Sequence, residues 1–111
     1  MSVSVVRKIS HRTIAIPRKY LDSIIKVGFR YDVSFVPPFL HFIFHRDGEY
    51  KATLHKGTLY VYIPAHIADE IAEWRGKRRE EFDLGQNVFI LFKTFNCHED
   101  KCVLEGEVIW P

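Results

Sequence analysis

A short motif occurs twice in this chain, and the repeat limits the folds that the chain can adopt. Residues 16–24 (IPRKYLDSI) and 63–71 (IPAHIADEI) stand at a constant offset of 47, and four of the nine positions are identical. Each copy follows a strand-like stretch and precedes a glycine and a further β-rich run. The repeat therefore predicts two units with one plan: strand, Ile-Pro, short helix, glycine and two strands.

The unit boundaries follow from this plan, with residues 1–48 as the first half and 49–111 as the second half. Proline is well tolerated at the start of a helix, so Pro17 and Pro64 mark the two helix starts. Gly28 ends the first helix, and helical spacing of apolar residues predicts a longer second helix over 65–81. We expect a mainly β protein with two short helices, an α+β fold.

Neither half is large enough to bury a stable core by itself, because small domains expose too much of their surface. We therefore expect the two halves to share one core. The equivalent isoleucines of the two copies are its predicted centre: Ile16, Ile24, Ile63 and Ile71.

The composition of the 111 residues, 47% hydrophobic and 27% charged, is typical of one soluble globular domain. The sequence contains no apolar run of membrane-spanning length and no secretory signal, which predicts a cytoplasmic protein without a membrane partner. No nucleophile, phosphate-loop or zinc-protease motif occurs, so we expect neither an enzyme nor a bound cofactor or metal. Amide side chains are scarce (Gln86, Asn87 and Asn96), which is typical of a thermophilic source.

The net charge of +2 conceals an asymmetry between the halves. The first half has eight Lys and Arg against three Asp, a charge of +5, whereas the second has eight against eleven Asp and Glu, a charge of −3. A polyanionic partner is thus expected to contact the first half.

The residues from Val5 to Leu21, with a basic Arg7-Lys8 pair and a strand ending in Ile16-Pro17, resemble the AbrB/MazE/SpoVT swapped-hairpin family. The tandem repeat resembles members that carry two copies in one chain. The resemblance implies an AbrB-like barrel formed as an intramolecular pseudo-dimer. It also implies a transcription regulator or an antitoxin that binds duplex DNA.

Position by position, the resemblance carries DNA contacts to the arm and to the start of the first helix. The implied DNA-binding residues are Arg7, Lys8, Arg12, Arg18 and Lys19. Two alternatives remain open. One is a protein-interaction module, antitoxin-like or scaffold, with a toxin-like protein or a second copy as partner. The other is a single-strand or RNA binder that stacks bases on Phe39, Phe42 or Tyr60.

A second basic cluster follows Trp74 and consists of Arg75, Lys77, Arg78 and Arg79. It is interpreted either as a phosphate site or as a set of cations that complement a helix C-terminus. Cys97 and Cys102 fit a hairpin, as free thiols or as a disulfide, and less well a zinc site. His41 and His45 lie on one side of a strand without a third ligand.

The assembly is expected to be a folded monomeric pseudo-dimer, or a homodimer when specific DNA is bound. Apolar surface of the second half would supply the dimer contact. The candidate residues are the aromatic Tyr60, Tyr62, Phe95 and Trp110.

Overall fold

A computed structural model describes residues 2–111, with side chains from residue 5 onward. The described chain is mainly β, with antiparallel sheets and three short α-helices. Its strands are β1 (Ser2–Lys8), β2 (Thr13–Ala15), β3 (Arg30–Val36), β4 (Phe39–Phe44), β5 (Tyr50–Lys51), β6 (Thr53–His55), β7 (Thr58–Tyr62), β8 (Phe89–His98) and β9 (Lys101–Ile109). Its helices are α1 (Leu21–Val27), α2 (Ala65–Trp74) and α3 (Arg79–Leu84), with a 3-10 turn (Arg18–Tyr20) before α1. Within residues 2–111, none of the helices has the length and hydropathy that a bilayer crossing requires.

The strands form two sheets, in which every pairing is antiparallel. Six strands form a curled half-barrel in the order β1-β8-β9-β4-β3-β5, and three form a small sheet in the order β2-β7-β6. The large sheet has an internal symmetry: exchanging β1 with β5, β3 with β8 and β4 with β9 gives the same order read from the opposite edge. Strands of the two halves therefore pair with each other at both edges and at the centre.

The helices also pack across the two halves. The Trp74 ring at the end of α2 meets Phe35 of β3 edge-on, with 5.7 Å between the ring centroids. On the other side, Tyr20 before α1 lies 4.4 Å from Phe95 of β8. Each half thus covers the β-hairpin of the other half with its own helix.

One apolar cluster contains buried side chains from both halves. The four isoleucines predicted at its centre are all buried: Ile16 is 4% exposed, and Ile24, Ile63 and Ile71 are fully buried. Their predicted burial is therefore confirmed. Because both copies of the motif contribute to the same cluster, truncation in either copy affects the core of the whole chain.

The second helix is not continuous over 65–81, and this prediction was wrong. Helix α2 ends at Trp74, and Gly76 has a φ of +66°, a left-handed conformation that glycine adopts without steric cost. Helix α3 then begins at Arg79, where the side chain of Glu81 accepts a hydrogen bond of 2.9 Å from the backbone N–H of Arg78. Apolar spacing alone did not reveal that Gly76 interrupts the helix, so residues 2–111 contain three α-helices rather than two.

The hairpin of β8 and β9 is closed by a disulfide between Cys97 and Cys102, which lie opposite each other in the ladder. Cys97 is exposed and Cys102 is buried. In this state neither sulfur is a free thiol, so neither is available as a zinc ligand.

The link between the halves turns sharply back onto β3. A Cβ atom at Gly48 would lie only 2.3 Å from the backbone nitrogen of Tyr31, so no other residue fits there without movement of the backbone. The Asp32 carboxylate anchors the same link, because one oxygen lies 2.6 Å from His45 Nε2 and the other accepts the backbone N–H of Glu49 at 2.9 Å. The hydrogen bond with His45, and then that from Glu49, hold the pKa of Asp32 below its ordinary value.

We expect Ile63→Ala to destabilise the protein by about 2–5 kcal/mol, because it leaves a cavity in the shared core. Ile25→Ala is the matched control, since Ile25 is 42% exposed and should change stability little. Urea unfolding followed by circular dichroism measures both. Equal losses for the two variants would contradict a core centred on the repeated isoleucines.

We expect Asp32 to stabilise the folded state above its unfolded pKa of about 3.9, because its folded pKa is lower. This contribution is lost as the pH falls through the folded pKa. Asp32→Asn should therefore lower stability at pH 7 and show a weaker loss on acidification from about pH 5 to pH 2. Urea unfolding across that range tests this, with the exposed Asp47→Asn as control. An acid limb of unchanged steepness in Asp32→Asn would overturn the assignment.

Candidate nucleic-acid interface

The small sheet presents a polar and aromatic face to the outside. Along β7, Leu59 and Val61 are buried, so Thr58, Tyr60 and Tyr62 alternate onto the outer face. Tyr62 is paired with Thr13 of β2, and Tyr60 lies between Ala15 of β2 and Thr53 of β6. Hydroxyl groups and rings therefore lie side by side on a surface built from both halves.

Two tight turns mark the two ends of β7. One contains His11 and Arg12 and precedes β2, and the other contains Lys56 and Gly57 and precedes β7. All four residues have positive φ, as the two central residues of a type I′ β-turn require. Because β2 and β7 are antiparallel, the first turn lies at the Tyr62 end and the second at the Thr58 end. Four residue steps of strand separate these ends by about 13 Å.

At the Tyr62 end, Arg12 is held by contacts within the chain. Its guanidinium lies 4.7 Å from the centre of the Tyr62 ring and donates a hydrogen bond to the Tyr62 hydroxyl. Its Nε is 3.4 Å from Asp83 Oδ1, and only 20% of the side chain is exposed. Arg12, an expected DNA contact, is therefore engaged in holding the first turn against α3.

The same carboxylate also binds a second arginine. Arg79 Nε lies 3.0 Å from Asp83 Oδ2, and Arg79 Nη1 lies 3.9 Å from Asp69 Oδ1. Two guanidinium groups thus face two carboxylates, and the charges of the Tyr62 end cancel.

At the Thr58 end the charges do not cancel. Arg18 and Lys19 begin the 3-10 turn, Lys56 lies in the second tight turn, and all three are exposed. A Cβ atom on Gly57 would lie 3.6 Å from Arg18 Nη2, which places the Arg18 guanidinium beside the Lys56-Gly57 turn. None of the three makes an ion pair within the described side chains. We call Arg18, Lys19 and Lys56 the basic end.

Arg7 and Lys8 lie on opposite faces of the large sheet. They are consecutive on the edge strand β1, where Arg7 lies opposite the buried Ile90 and Lys8 lies opposite Phe89. Successive side chains of a strand point to opposite faces, so a flat ligand on one face of the sheet meets only one of them. Arg7 also donates a hydrogen bond of 3.2 Å to the carbonyl of Val6.

The side chains of the second basic cluster also lie apart from one another. Arg75 stacks on Trp74 at 5.2 Å, and Lys77 lies 4.8 Å from the Trp110 ring and donates to the carbonyl of Pro111 at 2.5 Å. Arg79 is paired with Asp69 and Asp83, which leaves Arg78 exposed. Arg75, Lys77 and Arg79 thus contact different parts of the chain instead of one common surface.

The exposure of the aromatic residues considered for stacking or dimer contacts differs widely. Phe42 is fully buried, so it is no stacking platform, and Trp110 is only 4% exposed, so it offers little surface for a dimer. Tyr60 and Phe95 are half-buried, and Tyr62 is 44% exposed.

The two histidines form separate pairs with carboxylates, His41 Nε2 at 2.8 Å from Glu105 and His45 at 2.6 Å from Asp32. Among the side chains that the structure describes, no group of three or more His, Cys, Asp or Glu is placed to hold a metal ion.

Lys56 was absent from the residues expected to bind DNA. Its position in a Lys-Gly turn before a strand was the available signal, because such turns project from a sheet. Its proximity to Arg18, which is 38 positions away in the chain, could not be inferred from local pattern. In comparisons with family profiles, curated proteins and solved structures, no significant match to this chain was found.

We expect Arg12 and Asp83 to be energetically coupled, because their ion pair is partly shielded from water. A double-mutant cycle of Arg12→Ala and Asp83→Ala should give a coupling of about 1 kcal/mol, the upper end for ion pairs that reach solvent. Urea unfolding measures each variant. Arg12→Ala with Asp100→Ala is the control cycle and should give no coupling, because Asp100 lies in the β8-β9 turn outside this ion-pair network. Additive effects in the Arg12/Asp83 cycle would contradict the pairing.

Proposed function

We propose that this chain binds duplex DNA through the basic end, as a transcription regulator of the AbrB/MazE/SpoVT type. The observation that carries the proposal is the position of the exposed Arg18 guanidinium beside the Lys56-Gly57 turn, with Lys19 next to it in the chain and no ion pair to a described carboxylate. Cations in such an arrangement displace the counterions of DNA, which supplies most of the affinity for phosphate backbones.

The topology supports a tandem swapped-hairpin barrel, with residues 1–48 and 49–111 as its two units. Each hairpin lies under the helix of the other unit, and the strand order of the large sheet is the same from both edges. In the proposed pseudo-dimer, one chain does what two chains do in a homodimer. A role on the chromosome also agrees with the cytoplasmic location expected from the sequence.

The proposed contact uses different groups for different tasks. Arg18 and Lys56 bind phosphates of one strand, and Lys19 extends the contact along the backbone. The hydroxyls of Thr58, Tyr60 and Thr53 on the adjoining sheet face are available as hydrogen-bond donors to phosphate oxygens. The Tyr62 end, in which arginines and carboxylates balance, adds little electrostatic attraction.

Among the side chains from residue 5 onward, one end of the proposed pseudo-dimer is basic, so one chain would meet one segment of DNA. A palindromic site would therefore require two chains, each with its own basic end on one half-site. Non-specific binding, in contrast, requires only one.

We expect Arg18→Ala with Lys56→Ala to weaken binding to a 20-base-pair duplex of random sequence. The slope of log K against log salt should fall by about two units, since two phosphate contacts are lost. Fluorescence anisotropy at several salt concentrations measures both quantities. Arg75→Ala with Arg78→Ala removes the same charge from the second basic cluster and should leave the slope nearly unchanged.

The outcomes separate the alternatives. Equal slopes for wild type and Arg18→Ala/Lys56→Ala would exclude the basic end as the interface. A larger loss of DNA affinity in Arg75→Ala/Arg78→Ala would place the interface on the second basic cluster. A loss of DNA affinity in Arg7→Ala/Lys8→Ala alone would place the interface on strand β1.

A further inference from the structure

A groove lies where the turn between β3 and β4 passes beneath the end of α2. Trp74 separates two adjoining hollows of this groove. One has a volume of about 320 Å³ and is lined by Phe35, Pro37, Glu70, Glu73 and Trp74. The other, of about 400 Å³, lies on the side of Pro38, Arg75 and Ile109. We call the first hollow the Trp74 groove.

The walls of the Trp74 groove are flat and apolar. Phe35 supports the half-buried Trp74 ring edge-on, and Pro37 forms the opposite side. Aromatic and proline walls of this kind accept the methylene stem of a long side chain or an extended peptide.

The rim of the groove carries two uncompensated carboxylates. Glu70 and Glu73 are three residues apart on α2 and therefore lie on one face of the helix. Both are exposed, and neither makes an ion pair within the described side chains. On the same helix Asp69 does have a cation, Arg79. Negative charge thus remains beside an aromatic wall.

One cation of the chain itself already contacts the Trp74 ring. The guanidinium of Arg75 already stacks on Trp74, 5.2 Å from the ring centre, on the side of the second hollow. The indole ring is the aromatic group that attracts cations most strongly. A second cation in the Trp74 groove would meet this ring together with the two free carboxylates.

We propose that the Trp74 groove binds an arginine or lysine side chain presented by an extended segment of a partner protein. The methylene stem packs on Phe35, Pro37 and Trp74, and the cationic head lies between Glu70 and Glu73. Charge complementarity selects this occupant, because a nucleic acid or an acidic peptide would be repelled by the same rim. The groove and the basic end share no residue, so this proposal is independent of DNA binding.

The test uses two fluorescein-labelled nonapeptides of alternating alanine and proline, with either arginine or glutamate at the centre. Anisotropy titration of the folded chain should show at least tenfold tighter binding of the arginine peptide. Glu70→Gln with Glu73→Gln should remove most of this preference. Glu99→Gln with Asp100→Asn removes the same charge from the exposed β8-β9 turn and should keep the preference.

A second readout locates the peptide. In ¹H–¹⁵N spectra the indole N–H of Trp74 should shift on titration more than that of the buried Trp110. Trp74→Ala should abolish binding. Trp74→Phe, which retains an aromatic wall, should weaken binding and provides the test if the alanine variant does not fold. Arg18→Ala with Lys56→Ala should leave peptide binding intact.

Three results would overturn the proposal. The first is equal binding of the arginine and glutamate peptides. The second is an unchanged preference in Glu70→Gln/Glu73→Gln. The third is a peptide-induced shift at Trp110 without one at Trp74.

Discussion

Burial across the two halves is the constraint on which the rest of this structure depends. Each half supplies a hairpin whose apolar face is covered by the helix of the other half, through Phe35 and Trp74 on one side and Tyr20 and Phe95 on the other. The edge strand β1 completes the sheet of the second half, and β5 completes that of the first. Each half thus provides a surface against which the other half packs.

The same arrangement explains how far the sequence alone could predict the structure. The Ile-Pro repeat identified Ile16 and Ile63 as core residues because equivalent positions in equivalent elements have the same burial. The charged residues were less predictable. Arg12 pairs with Asp83, 71 positions away, and no local pattern reveals a partner at that distance. In contrast, the opposite orientation of Arg7 and Lys8 follows from strand alternation, and the break at Gly76 was available from the glycine itself.

Two equivalent turns have acquired different electrostatic surroundings. The His11-Arg12 turn packs near α3, whose Asp83 carboxylate takes up the charge of Arg12 and part of that of Arg79. The Lys56-Gly57 turn lies beside Arg18, and no carboxylate of α1 reaches either residue. Because both turns have the same backbone form, the difference between the two ends arises from side chains on the adjacent helices. The backbone thus permits one end to be specialised without changing the other.

The tight fit of Gly48 against Tyr31 also determines which halves can meet. Contacts that join two halves within one chain could equally join halves from different chains, as in three-dimensional domain exchange. The short link from β4 to β5, held by Gly48 and by Asp32, keeps the second half at a high effective concentration next to the first. This geometry favours closure within one chain, and a straighter link that could not turn back onto β3 would leave the same surfaces free for exchange between molecules.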